Sequence, residues 1–125
     1  GKIEVNPLGD GADYWADGVM SEEVPAHAVM LGDFNCTPDT PEYELISGPL
    51  SPYGGRVTHP LGFVDAWEYA GGDPDGGFTS DVKDQPARLD YAFVSAGLRE
   101  RIARCWVDEA ASGSDHQPVW LELAA

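Results

Sequence analysis

Three short polar motifs, each set against a run of strand-forming residues, constrain this chain more than any other feature: Gly32-Asp33-Phe34-Asn35, Arg88-Leu89-Asp90-Tyr91 and Gly113-Ser114-Asp115-His116. A fold that accommodates them must bring strand ends carrying carboxylates, an amide and an imidazole to its surface. The flanking runs differ in pattern. His27-Ala28-Val29-Met30-Leu31 is continuously apolar up to Gly32, which predicts a strand buried on both faces with Asp33 and Asn35 just past its end. Residues 88–95 alternate through Leu89, Tyr91 and Phe93, and residues 118–123 through Val119, Leu121 and Leu123, so both read as strands, as does 102–107.

The rest of the chain reads as short helices and loops. Thr37-Pro38-Asp39-Thr40-Pro41 supplies a helix cap and a proline suited to a first turn, which predicts a helix over 41–47 that stops at Gly48-Pro49. Residues 50–59 are a loop, 63–69 suit one or two helical turns, and 73–86, rich in Gly, Asp and Pro, form a second loop that suits the wall of a site. Residues 1–25 show no sustained period and read as an irregular segment, with Trp15 and Val19 as possible anchors. With 125 residues, one domain is expected, over 26–125.

Charge narrows the partners. Seven Lys and Arg against 22 Asp and Glu give a net charge of −15, which disfavours a grip on duplex DNA through counterion release. A phosphate would be met locally, through a cation. No apolar run approaches the roughly 20 residues of a membrane span, and no signal-like pattern opens the chain. Cys36 and Cys105 lack CxxC spacing, so free thiols in a reducing, cytoplasmic setting are expected.

Each motif has a chemical and a purely structural reading. On extended backbone, residues i and i+2 share a side, so Asp33 and Asn35 can converge while Phe34 turns into the core. Such a carboxylate and amide can hold a water or a magnesium-type cation, although Asp and Asn are also ordinary turn residues. Asp115 and His116 reach one point only if the chain bends at Gly113-Ser114. Asp90 can hydrogen-bond an imidazole and fix its tautomer, or simply pair with Arg88 or Arg104. Together the groups are those needed for metal-assisted attack of water on a phosphoester.

The joint pattern resembles the endonuclease/exonuclease/phosphatase superfamily of metal-dependent phosphoesterases. The segment from Leu31 to Asp39 with Glu42-Tyr43, the run Phe63-Val64-Asp65-Ala66-Trp67, Gly77-Phe78-Thr79 and Ser114-Asp115-His116-Gln117-Pro118-Val119 carry the likeness over about residues 26–123. The resemblance implies that Asp33 orients or deprotonates the attacking water, and is also a metal ligand. It implies that Asn35 holds the phosphate or that water, that Asp115 is a metal ligand, and that His116, oriented by Asp90, contacts a phosphate oxygen. The implied cofactor is Mg2+ or Mn2+. Asp65 and Thr79 are implied to be supporting residues.

The resemblance also implies an architecture: an α/β (α+β) four-layer α/β/β/α sandwich, of which this chain would form about half, one mostly antiparallel sheet with short helices. Members carry a further half ahead of the Gly-Asp-Phe-Asn segment, with an asparagine, a metal-ligating glutamate and a His or Tyr with an Arg. Glu4, Asn6 and Glu22-Glu23 do not follow a buried strand as that glutamate should. The expectation is therefore the C-terminal part of a phosphodiester or phosphomonoester hydrolase, inactive alone, whose partner is the missing N-terminal half or a second copy. The alternative is a module that binds phosphate or metal without turnover. A small phosphoester, a nucleotide or a phospholipid head group is the expected substrate class.

Overall fold

The computed structural model describes residues 27–125; the irregular segment expected over 1–25, with Trp15, Val19, Glu4, Asn6 and Glu22-Glu23, lies outside the described residues. Along the chain run β1 (Val29–Asp33), α1 (Pro41–Ser47), β2 (Phe63–Asp65), α2 (Ala66–Tyr69), β3 (Ser80–Val82), β4 (Gln85–Ala87), β5 (Asp90–Ser95), a 3₁₀ helix (Ala96–Arg101), β6 (Ile102–Val107) and β7 (Val119–Leu123). The class is mixed α+β and every strand pair is antiparallel, as expected. The strands fall into three pieces: a sheet ordered β1-β5-β2 and the hairpins β3-β4 and β6-β7.

The core is built on β5. Its side chains alternate between two apolar clusters, and from Tyr91 to Ser95 every residue is buried. Tyr91 and Phe93 pack with Cys36 and Tyr43, and with Met30, Phe34, Ile46 and Phe63 around them. On the opposite face Ala92 and Val94 meet Val64 and Ala66, flanked by Ile102, Cys105, Val119 and Leu121 of the β6-β7 hairpin. Full burial of a side chain such as Phe93 or Val94 stabilises by about 1.5–3 kcal/mol, so the alternation ties α1 to one face and the hairpin to the other.

Three expectations are corrected here. Strand β1 is not buried on both faces: Met30 points into the core, but Val29 and Leu31 are 38% and 63% exposed. Register explains this, because Val29 and Leu31 lie opposite Val94 and Ala92. They therefore share the face that the β6-β7 hairpin covers, yet stand on the edge strand. Residues 63–69 are not all helical: β2 pairs with β5, and the Asp65 carboxylate then caps α2 by accepting from Trp67 N at 3.0 Å. Residues 73–86 are not a plain loop but end in the β3-β4 hairpin. Its turn residues Lys83 and Asp84 have φ of 56° and 57°, a primed two-residue turn that usually announces itself with Asn or Gly.

The helix over 41–47 forms where expected, with Thr40 as its cap and a proline in its first turn. A buried ion pair locks it to the sheet. Arg88, 3% exposed, donates from Nη1 to Asp65 Oδ2 at 2.6 Å, and Tyr43 of α1 donates its hydroxyl to the same oxygen at 2.7 Å. Burial is the main cause that pushes the Tyr43 phenol above its ordinary range, with Asp65 adding to it, so the hydroxyl remains a donor. Replacing one partner of a buried pair strands the other charge, at a cost of about 3–5 kcal/mol. Arg88→Met is therefore expected to lower the denaturant midpoint sharply, and the double variant Arg88→Met/Asp65→Asn to recover part of the loss; equal midpoints for Arg88→Met and the parent would refute this account.

Candidate active site

The register of β1 on β5 places Asp33 directly opposite Asp90. Like charges facing each other across an antiparallel pair are destabilising, so this juxtaposition calls for a positive group between them. His116 is one such group. Its Nδ1 lies 2.6 Å from Asp90 Oδ2, and one ligand atom each from Asp33, Asp90 and His116 lies within 4.8 Å of the others. The motifs read from sequence thus meet at one point although they are spread from residue 33 to residue 116.

Each side chain arrives by a different device. Asp33 ends β1, and its Oδ1 accepts from Asn35 N at 2.7 Å. Asn35 has φ 55°, a left-handed conformation that asparagine tolerates. The pair is therefore arranged by a turn, not by the extended alternation expected from sequence, while Phe34 enters the core edge-on to Phe93 with centroids 5.0 Å apart. His116 is delivered by the bend at Gly113-Ser114, where Gly113 has φ 102° and Ser114 Oγ accepts from His116 N at 3.1 Å. An isolated bridge then seats His116 against Ser80 of β3.

The structural alternatives for Asp90 are occupied elsewhere. Arg88 pairs with Asp65, and Arg104 pairs with Glu122 at 3.1 Å. Asp90 is left to the imidazole. The hydrogen bond to Asp90 is the largest influence on His116, and the ring is raised above its ordinary value of 6.5, the nearby charges of Asp33 and Asp115 adding to it. With its proton on Nδ1 the ring donates to Asp90 and leaves Nε2 for another partner.

Asp115 is exposed and its carboxylate is not part of the three-residue cluster. Asp90, expected only to orient the ring, is in the cluster. Neither cysteine competes as a nucleophile there: both are free, Cys36 is buried in the core, and burial pushes the Cys105 thiol up to about 11. What sequence reasoning missed is the β3-β4 hairpin as the seat of His116, since Lys83-Asp84 carries no glycine to signal the turn.

The two carboxylates at this strand edge fit a divalent cation, because hard cations take oxygen ligands. The profile of the Endonuclease/Exonuclease/phosphatase family matches residues 5–116, and the chain belongs to that family. The match begins upstream of the segment that carries the motifs. No curated protein and no solved structure matches the chain.

A pH titration follows from the His116–Asp90 bond. Since the folded ring is raised above its unfolded value, its stabilising contribution is fully present below about 6.5 and is lost as pH rises through the folded midpoint. Ring-proton NMR is expected to give a midpoint above 6.5 for His116, falling toward that value in Asp90→Asn; a midpoint unchanged by Asp90→Asn would show that the bond is not what holds the proton.

Proposed function

We propose that the chain carries the proton-handling half of a divalent-cation-dependent phosphoesterase, hydrolysing a phosphodiester or phosphomonoester by activated water. The observation that carries this reading is the convergence of Asp33, Asp90 and His116 in a chain of this family. Asp33 orients the attacking water and draws its proton toward a carboxylate oxygen. Asn35, on the same turn, offers an amide to the water or the phosphate. His116, its Nδ1 proton held by Asp90, directs Nε2–H to a phosphate oxygen and opposes the negative charge that builds there. We assign Mg2+ or Mn2+ to Asp33 with the exposed Asp115 next to His116; the ion would neutralise phosphate charge and the departing oxygen when bound.

The active unit we propose includes more than the described residues. Val29 and Leu31 present an apolar face beside the cluster, suited to a further layer, either an N-terminal half of the domain or a second copy, which also contributes another acidic ligand. The substrate we favour is a small phosphoester, a nucleotide or a phospholipid head group rather than duplex DNA, on the strength of the charge of −15. Among the described residues no helix is long and apolar enough to cross a membrane. The two free cysteines fit a reducing compartment, and a cytoplasmic setting belongs to the proposal.

The test is hydrolysis of bis(p-nitrophenyl) phosphate and p-nitrophenyl phosphate with Mg2+ or Mn2+, by the chain alone and together with an N-terminal family half. Turnover is expected in the combined sample, abolished by chelation and reduced about 10²–10⁴-fold by His116→Ala or Asp33→Ala. Full activity in His116→Ala would sink the assignment. Cation binding without turnover in either sample would instead favour a non-catalytic binding module.

A further inference from the structure

Thr79 is wholly buried and lies outside the Asp33–Asp90–His116 cluster, yet it touches both segments that form the His116–Asp90 bond. Its side-chain Oγ1 accepts from Leu89 N at 3.0 Å and from Asp90 N at 3.1 Å. These are the amides at the point where β5 begins. Its backbone N–H donates to Ala87 O at 3.0 Å, and its carbonyl accepts from Gln117 N at 2.7 Å. The next residue, Ser80, forms the bridge on which His116 sits. One residue therefore holds the Asp90 amide through its side chain and the Gln117 amide, next to His116, through its main chain, although Asp90 and His116 lie 26 positions apart.

We infer that Thr79 is a positioning residue that sets the separation and orientation of Asp90 and His116, and so the direction in which His116 presents Nε2. The inference deepens the proposed phosphoester hydrolysis and rests on it for its purpose, but the geometry itself is testable without turnover. A hydroxyl is needed, not merely bulk. Valine fills the same space but offers no acceptor, so the Leu89 and Asp90 amides lose their partner and the start of β5 is free to shift against β3. Serine keeps the oxygen and loses only a methyl group. Water cannot substitute readily, because Thr79 has no solvent contact.

The experiment is NMR on the full chain in the presence of chelator, comparing the parent, Thr79→Val, Thr79→Ser and Asp90→Asn. The parent is expected to show a strongly downfield His116 Hδ1 resonance, assigned by its loss in Asp90→Asn, and slow exchange at the Leu89 and Asp90 amides. Thr79→Val is expected to lose that resonance while keeping a folded spectrum, and Thr79→Ser to retain it. Where the combined enzyme turns over, kcat in Thr79→Val is expected to fall about 10–100-fold, with Thr79→Ser restoring it. A resonance that persists in Thr79→Val overturns the inference. If Thr79→Val does not fold, the parent amides decide: exchange at Leu89 and Asp90 as fast as in an unstructured peptide overturns it, and protection together with a retained resonance in Thr79→Ser upholds it. Loss of the resonance in Thr79→Val in a chain that hydrolyses nothing upholds the positioning role and removes only the enzymatic reading.

Discussion

Strand β5 offers no side to solvent, and the asymmetry of its two faces organises everything described around it. Tyr91 and Phe93 are large and fill the space beneath α1, while Ala92 and Val94 are small and let the β6-β7 hairpin approach. A strand buried on both faces cannot slip by one residue without exchanging large for small on each side. That fixes its register with β1, and the register sets Asp33 across from Asp90. The chemistry at the strand ends is thus held in place by apolar packing several residues away.

Aromatic geometry extends that hold toward the site. Phe34, between Asp33 and Asn35, meets Tyr91 and Phe93 edge-on, at centroid distances of 6.0 and 5.0 Å, arrangements favoured by the ring quadrupoles. The Tyr91 hydroxyl lies 2.7 Å from both the Cys36 and the Arg88 carbonyl oxygens, so it can donate to either and spans the turn after β1 and the approach to β5. The polar turn of Asp33 and Asn35 is clamped on its apolar side. Farther along, the loop before β3 is pinned by Trp67, whose Nε1 donates to Asp73 O at 2.8 Å. A Cβ on Gly77, where φ is 67°, would stand 2.6 Å from the Trp67 indole, so that position admits only glycine without displacement of the ring.

Much of this was legible in the sequence because strand and helix signals were local. Thr40-Pro41 marked the start of α1, and the alternation of Val119, Leu121 and Leu123 marked β7. What was not legible depended on contacts across the chain. The apolar run from 27 to 31 carries no information on whether a second layer covers it, so it read as doubly buried, whereas the alternation that marked β5 does not tell that Ala92 and Val94 are buried as well. Asp115 and His116 were both read as site residues from the resemblance; the bridge to Ser80 seats His116 in the cluster, and Asp115 lies exposed beside it. Asp65, favoured as structural, bonds the buried Tyr43 and Arg88 and caps α2 through Trp67 N.

The distribution of positive charge sets how such a site can meet a phosphate. Arg88 is spent on Asp65 beneath the sheet, Arg56 on Glu68 at 3.0 Å, and Arg104 on Glu122 on the outer face of the β6-β7 hairpin. Lys83 lies at the turn of β3-β4 and Arg99 and Arg101 on the 3₁₀ helix, so none of them belongs to the three motifs. The cluster itself contributes two carboxylates against one imidazole. An anionic substrate approaching Asp33 and Asp90 is repelled unless a cation intervenes, and the proton on His116 offsets only one of the two charges. The same two carboxylates place hard oxygen donors at one strand edge, a set that suits a divalent ion.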